Sequence, residues 1–262
     1  MKSQRLIVQM GMTLVFTVIT IVAVEAYVTD GLVSYYTLDK NDIAGGTVKD
    51  VAGGKDGKII GAPKTVAGRL GDALEFGGKP DCVELPSIVG IGTNPATYEA
   101  WFKKKNKVSW QYLLTNKTNF SDHFFRLGFN QDSGQIRIYT EQAKNVRKAW
   151  ITDEDYADDK WHHVVATRTG AKGAVYVDGV LVKEEETMAG DIGGGETNWY
   201  IAQDGNKNGY LIGAMDEVRV YSRALTEAEI RQNFASQGVT AVHPTGKLSL
   251  TWGKLKASQS YR

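Results

Sequence analysis

Cysteine is almost missing from this chain: of 262 residues, only Cys82 is one. An internal disulfide is therefore excluded, and stability must come from the core, with a bound ion as a possible staple. Cys82 itself alternates with its neighbours in Cys82-Val83-Glu84-Leu85, which reads as a small core hydrophobe rather than a reactive thiol. A surplus of either charge is missing too, with 31 Lys and Arg against 30 Asp and Glu. Such a balance gives no electrostatic steering towards nucleic acid or an anionic membrane. There is no H-E-x-x-H pair, no G-x-S-x-G elbow and no glycine-rich loop ending in G-K-[ST], so metalloprotease, hydrolase-elbow and phosphate-loop chemistries lose their usual signatures. Repeats, heptads and low-complexity runs are absent as well. Proline is scarce, at five residues against 29 glycines, and with aromatics and closely spaced turn signals this describes an all-β protein.

What is present starts with Trp161 to Glu185, WHHVVATRTGAKGAVYVDGVLVKEE. Asp178-Gly179 separates two apolar triplets, and a two-residue turn of that composition is a strong hairpin signal because both positions need positive φ. Three antiparallel strands follow, and such a meander needs a second sheet over its apolar face. Short strands are expected at 31–38, 73–76, 82–85, 97–104, 111–115, 124–130, 135–140, 199–202 and 210–221, with 141–160 as a charged loop. Thr226 and Glu229 form a T-x-x-E capping box for a helix running to about Phe234. The fold class expected is all-β, a two-sheet antiparallel jelly-roll sandwich with one short C-terminal helix.

The first 26 residues carry Lys2 and Arg5, a largely apolar run from Leu6 to Val24, and small residues at Val24 and Ala26. They read as a cleaved secretory signal, with an uncleaved signal anchor as the alternative. The expected organisation is a signal at 1–26, one domain at 27–235 and a tail at 236–262. The location is secreted or cell envelope, and a membrane partner is expected only if the N-terminal segment stays uncleaved.

The order GLVSYYTLD, KDVAGGKDGKIIG, GRLGDALEFGGKPDCVELP, ATYEAWFK, DDKWHHVVATRTG, AVYVDGVLV and LIGAMDEVRVYSRALTEAEI resembles laminin-G-like jellyroll domains of the concanavalin A-like lectin and glucanase superfamily. Each motif is weak alone; seven in order, spanning Gly31 to Phe234, are specific together. Cys82 stands where tyrosine is common in that family. The resemblance implies a secreted module binding a glycan or a cell-surface protein, often stabilised by a structural calcium (Ca2+). The family's calcium positions match Asp39 and Asp216, with Asp50 and the Gly57 carbonyl nearby, a set of hard oxygen donors.

Some relatives are glucanases, so a polysaccharide-cleaving hydrolase or lyase is the rival reading, and a purely structural or adhesive envelope module a third. A retaining glycosidase needs two carboxyls ~5–5.5 Å apart. Asp216 and Glu217 are adjacent, expected on opposite faces, and lack an acidic neighbour two or four residues away. His162 and His163 are likewise expected to face opposite ways, which excludes them as a dyad. Sugar binding would use aromatic side chains with polar neighbours. The ligand-binding candidates are Trp150, Tyr156, Asn206, Asn208 and Tyr210, with Trp150 favoured for its charged surroundings; Trp110, Tyr112 and Trp199 are further aromatics of this kind. Asn116-Lys-Thr118 and Asn119-Phe-Ser121 fit the glycosylation pattern.

Overall fold

The computed structural model describes residues 26–87, 94–116, 124–143, 146–186 and 198–236. The N-terminal segment, the C-terminal tail and the Asn119 glycosylation pattern lie outside them. Among the described residues, seventeen strands run in chain order: β1 Leu32–Tyr36, β2 Ile43–Ala44, β3 Thr47–Val48, β4 Gly57–Ile60, β5 Lys64–Ala67, β6 Asp72–Gly77, β7 Cys82–Leu85, β8 Ala96–Lys103 and β9 Gln111–Thr115. They continue with β10 Phe124–Phe129, β11 Ile136–Ala143, β12 Val146–Ile151, β13 Trp161–Thr169, β14 Lys172–Val177, β15 Val180–Glu186, β16 Trp199–Ile201 and β17 Ile212–Tyr221. A single α-helix among the described residues, α1 (Glu227–Ala235), follows.

Two antiparallel sheets form the sandwich. One is ordered β15-β14-β13-β8-β17-β6-β5, with β1 also on β17; the other is β12-β11-β10-β9-β16-β7-β4-β3-β2. Between them lies a core built from alternate residues of each strand, including Phe102, Met215 and Val218 from the eight-stranded sheet and Leu127, Ile138 and Trp199 from the nine-stranded one. Removing such side chains from water is the main stabilising term, roughly 1.5–3 kcal/mol for each large one. The Asp178-Gly179 turn has φ of 52° and 77° at its two residues, as its composition requires. Asp178 also ties the turn to β13, accepting from the His163 amide at 2.8 Å and lying 2.8 Å from His162 Nδ1. The capping box on α1 forms in both directions.

Three expectations are corrected. Residues 141–160 are not one loop, because β12 pairs with β11 across Ile138↔Trp150 and Tyr139↔Ala149. Asp216 and Glu217 do not face opposite ways. A bulge between Asp216 and Arg219 adds one residue to β17 relative to β8, and Glu217 takes φ of 54°. With Met215 and Val218 both in the core, Asp216 and Glu217 share the outward face, as a bulge permits. Asn116 is fully buried, and its side-chain carbonyl accepts from the Phe125 amide. A buried asparagine is not a glycosylation acceptor.

Candidate functional site

The outward face of the eight-stranded sheet is closed where α1 covers it. Beneath α1, Arg219 meets Glu99 at 2.7 Å and is paired with Glu217, while His163 Nε2 lies 3.1 Å from Glu99. Tyr35 donates to Glu217 at 2.6 Å, and Asn233 of the helix donates to Glu99 at 2.7 Å. Glu99, His163 and Arg219 are all fully buried. Burial alone would raise the Glu99 carboxyl, but His163 and Arg219 beside it outweigh that and hold it below the usual range. Reading β17 alone found no acidic partner for Glu217; the partner, Glu99, comes from the neighbouring strand. Two carboxylates sharing a sealed arginine form a structural network, with no access for a substrate. His162 and His163 do face opposite ways: His163 packs against Trp101 and Phe234, and His162 lies against Phe102.

Two of the four expected metal residues come together. Asp216 is fully buried. Its Oδ2 accepts from the Arg69 and Leu70 amides at 2.8 and 3.0 Å, and its Oδ1 has no hydrogen-bond partner. Asp39 accepts from the Asp72 amide at 2.6 Å. The turn between β5 and β6 is moulded to both acids. A Cβ on Gly68 would come within 2.6 Å of Asp216 Oδ2, and one on Gly71 within 2.4 Å of Asp39 Oδ1. Burial pushes the Asp216 carboxyl up to about 8, with Glu217 and Asp39 adding to the rise. Burial likewise raises Asp39, with Asp72 and Asp42 contributing.

Asp50 and Gly57 stand apart from this pair. Both Asp50 oxygens are filled by backbone amides: Tyr35, Ala52 and Gly53 on Oδ1, and Lys55 on Oδ2. Gly57 belongs to β4, in the other sheet, against Val83 and Leu85. The loop wrapped on the acids is therefore GRLG, not KDVAGGKDG. Among the described residues no three His, Cys, Asp or Glu side chains gather to hold a metal, so an ion at Asp39 and Asp216 would need backbone carbonyls and water to complete its shell.

The outward face of the nine-stranded sheet is different in kind. Register places Phe124, Arg126 and Gly128 of β10 opposite Glu141, Tyr139 and Arg137 of β11, and Tyr112 of β9 opposite Gly128. Arg126 lies over the rings of Phe124 and Tyr112, at 4.9 and 5.2 Å. Arg137 lies over Tyr139 and Trp110, at 4.3 and 4.7 Å. Further along, Tyr200 and Tyr210 flank a cleft of about 280 Å³ with Glu84, Gln203 and Lys207. Glu84 there accepts from Asn198 at 2.7 Å and from Tyr200 at 3.3 Å. A larger cleft of about 510 Å³ opens on the eight-stranded sheet beside Trp161 and Ile212. Trp161 is its one partly exposed aromatic, and its Lys103 and Lys105 already approach Asp159 at 3.8 and 4.0 Å.

The expected ligand residues scatter. Tyr210 joins the smaller cleft. Asn206 and Asn208 shape the loop beside it, their amides bonded to Asp204 Oδ1 at 2.9 and 3.1 Å, while Gly205 and Lys207 provide its lining. Tyr156 sits elsewhere, edge-on to His162 at 5.4 Å. Trp150 is a core residue, 4% exposed. Its charged neighbours Arg147 and Lys148 are exposed on β12, and only the alternation along that strand turns the indole inward. Sequence reasoning missed Arg126, Arg137, Tyr139 and Tyr200, which become a surface only through register. Cys82 is buried as expected, its thiol pushed up to about 12 by that burial.

A two-sheet jelly-roll sandwich with one face partly covered by a helix and the other rich in aromatics defines the class of protein. A family model described as the concanavalin A-like lectin/glucanases superfamily matches residues 77–231, more than half the chain, and the chain belongs to that family. No curated protein sequence matches it. Among solved structures it is similar to domain 4 of the extracellular arabinanase AbnA from Geobacillus stearothermophilus, solved with arabinotriose. The identity is 19% and the TM-score 0.65, over 78% of this chain and 98% of that one. It is also similar to the binding domain of Paraclostridial Mosquitocidal Protein 1 (17% identity, TM-score 0.62, 78% of this chain and 52% of that one). A third is Trypanosoma rangeli sialidase in complex with 2,3-difluorosialic acid (22% identity, TM-score 0.59, 81% and 34%). The chain thus spans about half the toxin domain and a third of the sialidase. At these identities the likeness is one of fold.

Proposed function

We propose that this chain is an exported, non-catalytic glycan-binding module whose ligand lies on the outward face of the nine-stranded sheet. The observation that carries this reading is the row of half-buried aromatics on that face, Trp110, Tyr139, Tyr200 and Tyr210, interleaved with polar groups. Flat rings with hydrogen-bonding neighbours suit pyranose and furanose faces. The similar arabinanase domain was solved with arabinotriose, which favours a glycan over a protein partner. The N-terminal apolar segment supports export to the cell surface or medium.

A non-catalytic role is supported by how the carboxylates of this face are engaged. Asp204 is paired with Arg126 at 3.2 Å, Glu141 with Arg147 at 2.9 Å, and Glu84 with Asn198 and Tyr200. A glycosidase acid needs a carboxyl held above its ordinary range. The carboxyls raised among the described residues, Asp39, Asp216 and Glu217, lie on the other sheet's side of the molecule.

A structural calcium belongs to the same reading. The residues fit the ion: an orphaned, buried Asp216 oxygen, a second carboxylate at Asp39, and a glycine turn with no room for a Cβ. When bound, it would neutralise two acids that burial otherwise pushes towards protonation.

The test is binding of the purified chain to a glycan array with calcium present, repeated with Trp110→Ala and Tyr200→Ala. Binding that falls at least tenfold in either variant, with folding intact, supports the reading. Silence across the array would move the assignment to an adhesive or structural module.

A further inference from the structure

We propose that the glycan recognised on the nine-stranded sheet is acidic, and that Arg137, with Arg126 diagonally beside it, is the subsite for a sugar carboxylate. The proposal rests on the glycan-binding reading and specifies its ligand class. It starts from an imbalance. Three arginines emerge on this face from β10, β11 and β12. Arg126 has Asp204 at 3.2 Å and Arg147 has Glu141 at 2.9 Å, but no carboxylate among the described residues pairs with Arg137. Its guanidinium is nonetheless half-buried, lying over Tyr139 at 4.3 Å and Trp110 at 4.7 Å.

A partly desolvated cation without a counter-charge is costly in the free protein. Burial lowers the Arg137 pKa, and Arg126 nearby lowers it further, although the Tyr112 and Tyr139 phenols oppose this. An anion delivered by a ligand removes that cost and gains charge-assisted, forked hydrogen bonds. Register supplies the second arginine: Arg126 faces Tyr139, two positions along β11 from Arg137, so the two are diagonal neighbours roughly 7–8 Å apart. Gly128, opposite Arg137, lets the Tyr112 ring lie against the sheet; a Cβ there would meet Tyr112 Cδ1 at 2.9 Å. One carboxylate on Arg137 would thus bring its sugar ring beside Trp110 and Tyr139. The chain's near-zero net charge argues for a discrete carboxylate rather than a nucleic-acid polyanion.

The experiment measures binding of the folded chain, by calorimetry, to uronate- and sialate-bearing oligosaccharides, each paired with its methyl ester, beside neutral and sulfated glycans. The free acid of at least one pair should bind tenfold or more tightly than its ester. Arg137→Gln should bring the acid down to the ester's affinity, with a melting temperature showing that it folds. Arg147→Gln, already paired with Glu141, should keep the preference. Equal affinity for acid and ester, a preference that survives Arg137→Gln, or selective binding of sulfated glycans alone would each overturn the acidic-sugar assignment while glycan binding stands. Failure of every sugar to bind would overturn both.

Discussion

Arg219 and Arg137 stand on the outward faces of the two sheets, and each lies over two aromatic rings: 4.5 and 4.8 Å for Arg219, 4.3 and 4.7 Å for Arg137. Their surroundings differ in two respects. Arg219 is fully buried between Glu99 and Glu217 beneath α1, whereas Arg137 is only partly buried and pairs with no carboxylate among the described residues. The same stacked guanidinium is a closed internal bond in one sheet and an unspent contact in the other. The covering helix supplies the dryness, and the sheet itself supplies the counter-charges, Glu99 from β8 and Glu217 from β17. Stability and recognition should therefore respond to different arginines.

The largest effect should come from breaking the sealed side. Arg219→Ala would strand Glu99 and Glu217 without their cation in a buried site, a loss of about 3–5 kcal/mol, read by denaturant unfolding. A loss under about 1 kcal/mol would mean that water reaches the network. The proposed calcium site, at Asp39 and Asp216, lies beside this network and comes next. A ligand at a hundredfold its Kd adds ~2.7 kcal/mol, so calcium added to chelated protein should raise the melting temperature by several degrees. Asp216→Asn should abolish that response while stabilising the metal-free form, since it removes a carboxylate that the site cannot solvate. An unchanged response in Asp216→Asn would remove Asp216 from the site.

On the open side the effects shift from stability to binding. Trp110→Ala should weaken sugar binding about tenfold, roughly 1.4 kcal/mol, with folding stability altered by well under that amount. A variant that unfolds more than it loses affinity would place Trp110 with the core and not with the ligand.

How much of this was legible in sequence depended on how local each signal is. The Asp178-Gly179 turn and the Thr226–Glu229 box involve residues at most three apart, and both form as expected. The Asp39–Asp216 pairing came only through family resemblance, since it joins residues far apart in the chain, and its loop was misassigned. Bulges are invisible to a strict period of two, so the shared face of Asp216 and Glu217 was read backwards. Trp150 misled for a related reason: Arg147 and Lys148 hide the alternation of β12, and a charged neighbourhood in sequence is not a charged neighbourhood in space. The Arg126–Arg137 diagonal needed the exact register of β10 on β11, which composition does not encode.

His162 lies between the two extremes and should give the smallest effect. It is half-buried, with Asp178 2.8 Å from Nδ1 and Asp158 3.0 Å from Nε2. The hydrogen bond to Asp178 is the largest influence raising its pKa; burial opposes it, and the Asp158 bond adds to the rise. A raised value means that the folded state favours the imidazolium. The stabilisation is then fully present below the unfolded value near 6.5 and is lost as pH climbs through the higher folded value. Asp158 and Asp178 are both lowered, so their own contributions fade only in acid, well outside this window. Between pH 6 and pH 8 the native protein should lose stability with a slope that His162→Gln reduces, at a cost of about 1 kcal/mol at pH 6. Parallel slopes in the two proteins would show that the ring is held by its neighbours without titrating, making it part of the sealed frame like Arg219 and not of the responsive surface.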